Sequence, residues 1–153
     1  MTIFTESISP NTVSDTAAAW WYPFLAEPLE KTNHWSAETF YELVRLMEEE
    51  GVSCITMRKG KEFLEGEIPV PGWSKRIPHF RILDSDEIAP GYRFGWEIEA
   101  PVIEMQIYMP WLMERFESLG GELRITKVDS LAELPGDLAV SYTHLRAHET
   151  KAN

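Results

Sequence analysis

The sequence is poor in several features that carry function in other classes of protein. A single cysteine, Cys54, in 153 residues excludes an intramolecular disulfide and a cysteine metal cluster. No apolar run is long enough to cross a bilayer, and the N-terminal residues lack the basic-then-apolar pattern of a signal peptide. The chain also has no G-x-G-x-x-G phosphate loop and no internal repeat. We therefore expect a soluble intracellular protein.

Basic residues are scarce as well. The chain has 14 Lys and Arg against 25 Asp and Glu, a formal net charge of −11. Such a charge repels phosphate backbones and anionic lipids, so we expect neither nucleic acid nor membrane partners. His144 and His148 are four residues apart beside Glu149, but the order does not match the helical zinc signature, and we assign no metal site. Cys54 lies in the apolar run "VSCITM", which favours a buried structural thiol over a nucleophile.

The clearest element that is present is a helix in "HWSAETFYELVRLMEEEG". Ser36 is a good N-cap, Trp35 before it is expected to pack on Phe40, and Gly51 is placed to end the helix. The apolar stripe has helical spacing and consists of Phe40, Leu43, Val44 and Met47.

A second helix is predicted in "YMPWLMERFESLGG", with Pro110 in its first turn and Gly120 at its end. Its stripe consists of Met109, Leu112, Met113, Phe116 and Leu119. The predicted strands are "TIFT", "VSCITMR", "GWEIEAPVIEM" (one long strand or a bent pair), "ELRITKV" and "GDLAV", with a helical turn in "SLAEL". This order predicts an α/β fold, interrupted at 58–95 by loops and short strands that resemble an inserted β-rich piece.

Both ends of the sequence have unusual features. "VSYTHLRAHET" resembles the translation of a transposon-type sequencing adaptor, so we expect 141–153 to be a non-native tail. Near the other end, "TIFTE" fits the second strand of a dinucleotide-binding βαβ unit, in which Glu6 would hold the adenosine ribose. The alternative is a solvated glutamate at a strand end.

The stretch "SDTAAAWWYPF" places three alanines directly before a dense aromatic cluster. Small side chains let the backbone approach a flat ligand closely, and the aromatic residues can exclude water around it. Ordinary core packing is the alternative for Trp20, Trp21 and Tyr22, although a buried Tyr22 hydroxyl needs a partner.

The ordered series "TESISPNTVSDTAAAWWYPFLAEP", "HWSAETFYEL", "PGWSKRIPHFRIL", "GYRFGWEIEAPVIEMQIYMPWLMERFESLGGEL" and "ITKVDSLAELPGDLAV" resembles the FAD-dependent D-amino acid oxidase family over about residues 2–140. The resemblance implies a partial Rossmann-like FAD-binding domain with part of an inserted β-rich α+β substrate domain. It assigns 1–52 and 106–140 to the former and 53–105 to the latter.

The resemblance implies that FAD is contacted by Glu6, Ser7, Val13, Ser14, Ala18, Ala19, Trp20 and Val128. Glu6, with Ser7 beside it, would hold the ribose, and Val128 would offer backbone contacts to the adenine. Ala18, Ala19 and Trp20 would pass close to the flavin ring. Tyr22 would face the substrate.

The implied reaction oxidises a D-amino acid with O2 to a 2-oxo acid, ammonia and hydrogen peroxide. The family's carboxylate-clamping arginine and tyrosine would follow the point where the adaptor-like tail begins, so no catalytic residue is assigned and this chain is expected to be inactive alone. The compartment is cytoplasmic by default, or peroxisomal in a eukaryote.

The alternatives for the function are a D-aspartate oxidase or glycine oxidase-like flavoenzyme fragment, and a non-catalytic α+β binding module. Six arginines of this chain lie in no motif that matches the family's clamp, and they are expected to be surface or structural charges: Arg58, Arg76, Arg81, Arg93, Arg115 and Arg124.

Overall fold

The computed structural model describes residues 1–17, 19–24, 26–130 and 134. The helices are α1 (Leu29–Glu48) and α2 (Met105–Ser118). The strands are β1 (Thr2–Thr5), β2 (Ala19–Trp20), β3 (Ile55–Leu64), β4 (Phe80–Ile82), β5 (Phe94–Ile103) and β6 (Glu122–Ile125). Short 3-10 turns lie at Val13–Thr16 and Gly72–Arg76. The predictions for "SLAEL", "GDLAV" and the tail lie almost wholly outside the described residues.

The strands form two separate sheets of opposite kind. β1 and β6 pair in parallel, with Thr2 opposite Glu122 and Thr5 opposite Ile125. The second sheet is antiparallel and is centred on β5: β3 pairs with one edge of β5 over its whole length, while β4 and β2 pair with the other edge. The predicted α/β class is confirmed at this level, as a mixed fold with one parallel and one antiparallel sheet.

The core lies between α1 and the antiparallel sheet. From α1 it takes Phe40 and Leu43, as the sequence pattern predicts, and Leu46, which the predicted stripe does not include. The other two predicted members, Val44 and Met47, are half-buried and pack against this core. From β5 it takes alternate residues, because successive side chains of a strand point to opposite faces. These are Trp96, Ile98 and Ala100, each at most 1% exposed. Trp21 and Trp73 also belong to the core.

The predicted start of α1 is wrong. The helix begins seven residues before Ser36, at Leu29 after Pro28, and the Ser36 hydroxyl donates to the carbonyl of Asn33 inside the helix. Serine's preference for the N-cap is worth only about 1 kcal/mol, so it yields when the preceding residues can continue the helix. Trp35 is 57% exposed and does not cover Phe40, which packs instead on the edge of Trp21.

The structure places Pro110 deeper in α2 than predicted. α2 begins at Met105, where the amides of Ile107 and Tyr108 both donate to the Glu104 carbonyl, so Pro110 is the sixth helical residue. Pro110 is exposed, and because it has no N–H, it cannot donate to the carbonyl of Gln106 four residues earlier. The predicted stripe of α2 is only partly covered: Leu112 is 41% and Leu119 is 79% exposed.

β3 is longer than the predicted strand and continues into the charged stretch "RKGKEFL". Pairing with β5 supports this extension, because Lys59 lies opposite Glu99 and Lys61 lies opposite Glu97. Opposite charges in cross-strand pairs favour this register. Within the described ranges, neither helix combines the length and apolar character that a bilayer crossing needs.

Candidate functional site

The carboxyl edge of the parallel sheet brings together three of the predicted cofactor residues. Glu6 and Ser7 follow β1, and Val128 follows β6. The amide of Thr126 donates to the Thr5 carbonyl at 2.7 Å, which extends the pairing to the start of both loops. Glu6 and Ser7 are exposed and Val128 is half-buried. Ligands of open α/β sheets bind at this edge of the strands, so the placement suits the predicted adenosine contacts.

A compact turn then leads from this edge toward the alanines. The Asp15 carboxylate accepts hydrogen bonds from the Ser9 hydroxyl, the Thr12 hydroxyl and, at 2.9 Å, the Thr12 amide. The hydrogen bond from Ser9, followed by those from Thr12, holds the pKa of Asp15 below its usual value. Asp15 is only 5% exposed, whereas Val13 is 84% exposed and Ser14 is also exposed.

Sequence reasoning missed Asp15, although a signal for it was present. Thr12 and Asp15 stand in the spacing of a capping box, T-x-x-D, at the start of the 3-10 turn Val13–Thr16. In a capping box each residue's side chain bonds to the other's backbone amide, so the pair defines the direction of the following chain. Here the following chain is the alanine run.

A cleft of about 490 Å³ opens beside that run. One wall is formed by 15–17 and 19–20, and the other by the end of β5 and the first turn of α2. The described lining residues are Asp15, Thr16, Ala17, Ala19, Trp20, Val102, Ile103, Glu104, Met105, Gln106 and Ile107. Ala18, a predicted cofactor residue, lies outside the described residues.

The cleft has an acidic, largely apolar lining. Its charged side chains are Asp15 and Glu104, and no Lys or Arg is among the described lining residues. Two carboxylates disfavour a phosphate at this position, whereas small and aliphatic side chains suit a flat, uncharged ring system.

The two neighbouring tryptophans have different roles. Trp21 is 7% exposed, its indole N–H donates to the Ser36 carbonyl at 3.0 Å, and its ring meets Phe40 and Trp73 edge-on. Trp21 is therefore a core residue. Trp20 lines the cleft, and its indole N–H is buried without a hydrogen-bond partner among the described residues.

Tyr22 does not line the cleft. Its ring is stacked on Trp20, with centroids 6.0 Å apart, and its hydroxyl donates to the Glu62 carboxylate on β3. Burial, followed by the bond to Glu62, raises the pKa of Tyr22 well above its usual value. Glu62 supplies the partner that a buried Tyr22 hydroxyl was expected to need. The predicted contact between Tyr22 and substrate stays a prediction.

Cys54 and three of the arginines, Arg81, Arg115 and Arg124, have structural surroundings. Cys54 is 2% exposed, and burial raises the pKa of its thiol, as expected for a structural residue. Arg81 pairs with Glu87 and Glu97, Arg115 pairs with Glu50, and Arg124 pairs with Glu122. No group of three His, Cys, Asp or Glu side chains among the described residues is arranged to hold a metal ion.

Comparison with known proteins places the chain in a family. A D-amino-acid oxidase of Rubrobacter xylanophilus is 37% identical over 124 residues, covering 80% of this chain and 38% of that protein. A D-amino-acid oxidase of Dictyostelium discoideum is 33% identical over 153 residues, covering 97% of this chain and 44% of that protein.

The chain belongs to the D-amino-acid oxidase family.

Other relatives within the D-amino-acid oxidase family carry a different substrate in their names. The human D-aspartate oxidase is 28% identical over 142 residues, covering 88% of this chain and 42% of that protein. The chain thus spans less than half the length of the curated relatives it matches. No family model matches the sequence.

Membership of the D-amino-acid oxidase family implies a flavin cofactor, and the described residues can be tested against one. Ala17 and Ala19 leave room for a close approach, and the indole N–H of Trp20 is a buried donor without a partner. The acidic lining suits the ring end of FAD and not its pyrophosphate, and no G-x-G-x-x-G is present for the latter. The residues that line the cleft therefore fit a flat flavin ring.

Proposed function

We propose that this chain is part of an FAD-dependent oxidase that converts D-amino acids to 2-oxo acids, ammonia and hydrogen peroxide. The observation that carries the proposal is the cleft beside the alanine run, in a chain 37% identical to a D-amino-acid oxidase. Bound FAD would accept a hydride from the amino acid Cα and pass the electrons to O2. The chain's own contribution would be to position the cofactor and exclude water around it.

The proposed FAD contacts divide into two groups. Ala18, Ala19 and Trp20 would lie along the flavin ring, and Val13 and Ser14 would approach the ring or the pyrophosphate. At the sheet edge, Glu6 would accept hydrogen bonds from the ribose hydroxyls, Ser7 would lie beside it, and the backbone at Val128 would contact the adenine. In the proposed domain division, residues 1–52 and 106–140 hold the cofactor, and residues 53–105 hold the substrate.

The substrate proposed is a D-amino acid of unspecified side chain, bound near Tyr22. A D-aspartate oxidase is the second candidate, supported by the similarity to the human enzyme. We further propose that the isolated chain does not turn over substrate, because no residue in it matches the family's carboxylate clamp.

A chimera tests the proposed activity directly. Residues 1–130 of this chain would replace the aligned segment of the Rubrobacter xylanophilus enzyme, and hydrogen peroxide release would be followed with D-alanine and D-aspartate. We expect FAD-dependent peroxide release with at least one of them. The same chimera carrying Trp20→Ala is the matched comparison and should release less. A folded chimera that purifies without flavin and stays inactive with added FAD would contradict the proposal.

A further inference from the structure

The indole of Trp20 reaches across the antiparallel sheet to a glycine on a different strand. Trp20 pairs with Val102 on β5, and β3 lies on the far edge of β5. Across that distance, ring atoms Cη2 and Cζ2 of Trp20 lie 2.5 and 2.8 Å from where a Cβ of Gly60 would stand. No side chain larger than a hydrogen atom fits beneath the indole. Position 60 therefore requires glycine because of this contact, and not because the backbone turns there.

A second residue of β3 also helps to hold the Trp20 ring in place. Glu62, two residues after Gly60, accepts the hydrogen bond from Tyr22, and Tyr22 is stacked on Trp20 at an interplanar angle of 28°. Trp73 meets the Tyr22 ring edge-on, with centroids 5.3 Å apart, and limits its movement from another side. Gly60 therefore sets how close the Trp20 indole lies to the sheet. Glu62, through its hydrogen bond to Tyr22, holds the Tyr22 ring stacked on that indole.

These supports matter because Trp20 has no polar anchor of its own among the described residues. Trp21 is fixed by a hydrogen bond to Ser36, but the Trp20 N–H has no partner. The orientation of Trp20 then depends on packing alone, and packing contacts change when one neighbour changes volume.

We infer that Gly60 and Glu62 are positioning residues that set the orientation of Trp20 on the wall of the cleft, and through it the fit of a flat ring ligand. The second half of this inference rests on the proposed function. Both residues act on Trp20 from β3, a strand that contributes no described residue to the lining of the cleft.

The orientation of Trp20 can be observed in the full chain labelled with 5-fluorotryptophan. The chain has six tryptophans, and the Trp20 fluorine signal is the one lost in Trp20→Phe. Gly60→Ala places a methyl group under the indole, and Glu62→Leu removes the acceptor for Tyr22. Gly66→Ala is the matched glycine control, because nothing lies within 4 Å of its Cβ position. Glu62→Gln keeps an acceptor oxygen and should rescue the loss seen with leucine.

We expect Gly60→Ala and Glu62→Leu to shift or broaden the Trp20 signal, with Gly66→Ala and Glu62→Gln close to the parent. FAD is then added at about 1 mM, a concentration that detects even weak binding, and the two disruptive variants should bind it about tenfold less tightly. Thermal melts show whether Gly60→Ala or Glu62→Leu has unfolded. If one of them has, the inference is tested with the other.

Two results would overturn the inference. One is a Trp20 signal that stays in place in a folded Gly60→Ala or Glu62→Leu chain. The other is parent-like FAD binding in a variant whose Trp20 signal has moved. If FAD leaves the Trp20 signal of the parent chain unchanged, the proposed cofactor contact fails instead, and the spectra without FAD alone decide whether β3 positions Trp20.

Discussion

The backbone amide of Thr12 donates to the Asp15 carboxylate at 2.9 Å, and the Thr12 hydroxyl bonds to the same carboxylate. With the bond from Ser9, this pair closes the turn that delivers the alanine run to the cleft. A buried carboxylate in such a turn stabilises the fold only while it is ionised, because the hydrogen bonds favour the charged form.

The Asp15 carboxylate should make the stability of the chain depend on pH, and its replacement should weaken that dependence. The pKa of Asp15 is lowered in the folded chain, so its contribution is fully present above the unfolded pKa of about 4 and is lost as the pH falls below it. We expect Asp15→Asn to lower the melting temperature at pH 7 and to differ less from the parent at pH 3. Asp86→Asn, at an exposed position, is the control. Parallel stability curves for parent and Asp15→Asn from pH 7 to pH 3 would show that Asp15 has no such role.

Trp21 and Trp20 should respond differently to the same substitution. Trp21→Phe loses the hydrogen bond to Ser36 and part of two edge-on ring contacts, so we expect the free energy of unfolding to fall by about 1–2 kcal/mol. Trp20→Phe loses no hydrogen bond within the described residues, and its larger effect should be on FAD binding. Urea denaturation and FAD titration of both variants measure the contrast. Equal stability losses with equal FAD binding would contradict it.

A larger side chain at Ala19 should obstruct the cleft. Ala19 is half-buried and lines the cleft, so Ala19→Leu fills space that a flat ring would need. We expect FAD affinity to fall about tenfold, with the free energy of unfolding changed by less than about 1 kcal/mol. Ala26→Leu adds the same atoms at an exposed position and is the control. Undiminished FAD binding by Ala19→Leu would place the cofactor elsewhere.

Cys54 should be protected from thiol reagents while the chain is folded. It is 2% exposed and burial raises the pKa of its thiol, so little thiolate is available at pH 8. We expect modification by a chromogenic disulfide reagent to be at least about a hundredfold slower in buffer than in 6 M guanidinium chloride, because reaction requires unfolding. Comparable rates in the two solutions would argue against a buried thiol.

Much of the fold follows from local patterns. The apolar spacing in α1 predicted Phe40 and Leu43 as core residues, and the strand Thr2–Thr5 appears where the sequence predicts it. Gly120 directly follows Leu119, the C-cap of α2, and its φ of +82° is a conformation that favours glycine and ends the helix there. Gly51 also has a positive φ, +67°, but α1 has already ended at Glu48 with Glu49 as its C-cap. The predicted N-cap at Ser36 failed because a weak local preference competed with seven further residues able to continue the helix.

The candidate site was only partly accessible to sequence reasoning. Glu6 and Val128 were predicted separately and are brought to one sheet edge by parallel pairing of strands far apart in the chain. Asp15 was missed although its T-x-x-D spacing was visible, while the partnership of Tyr22 and Glu62 has no local signal, because 40 residues separate them.

By itself, the sequence determined much of the helical core stripe, the end of α2 at Gly120, the acidic character of the chain and its resemblance to the oxidase family. Each depends on composition, ordered motifs or contacts within a few turns of chain. Only the tertiary structure decided that Trp21 enters the core while Trp20 lines the cleft, and that Gly60 must lack a side chain. Trp20 and Trp21 have the same side chain, so they differ only in the residues that the rest of the fold places beside each of them. Those neighbours depend on long-range pairing of strands.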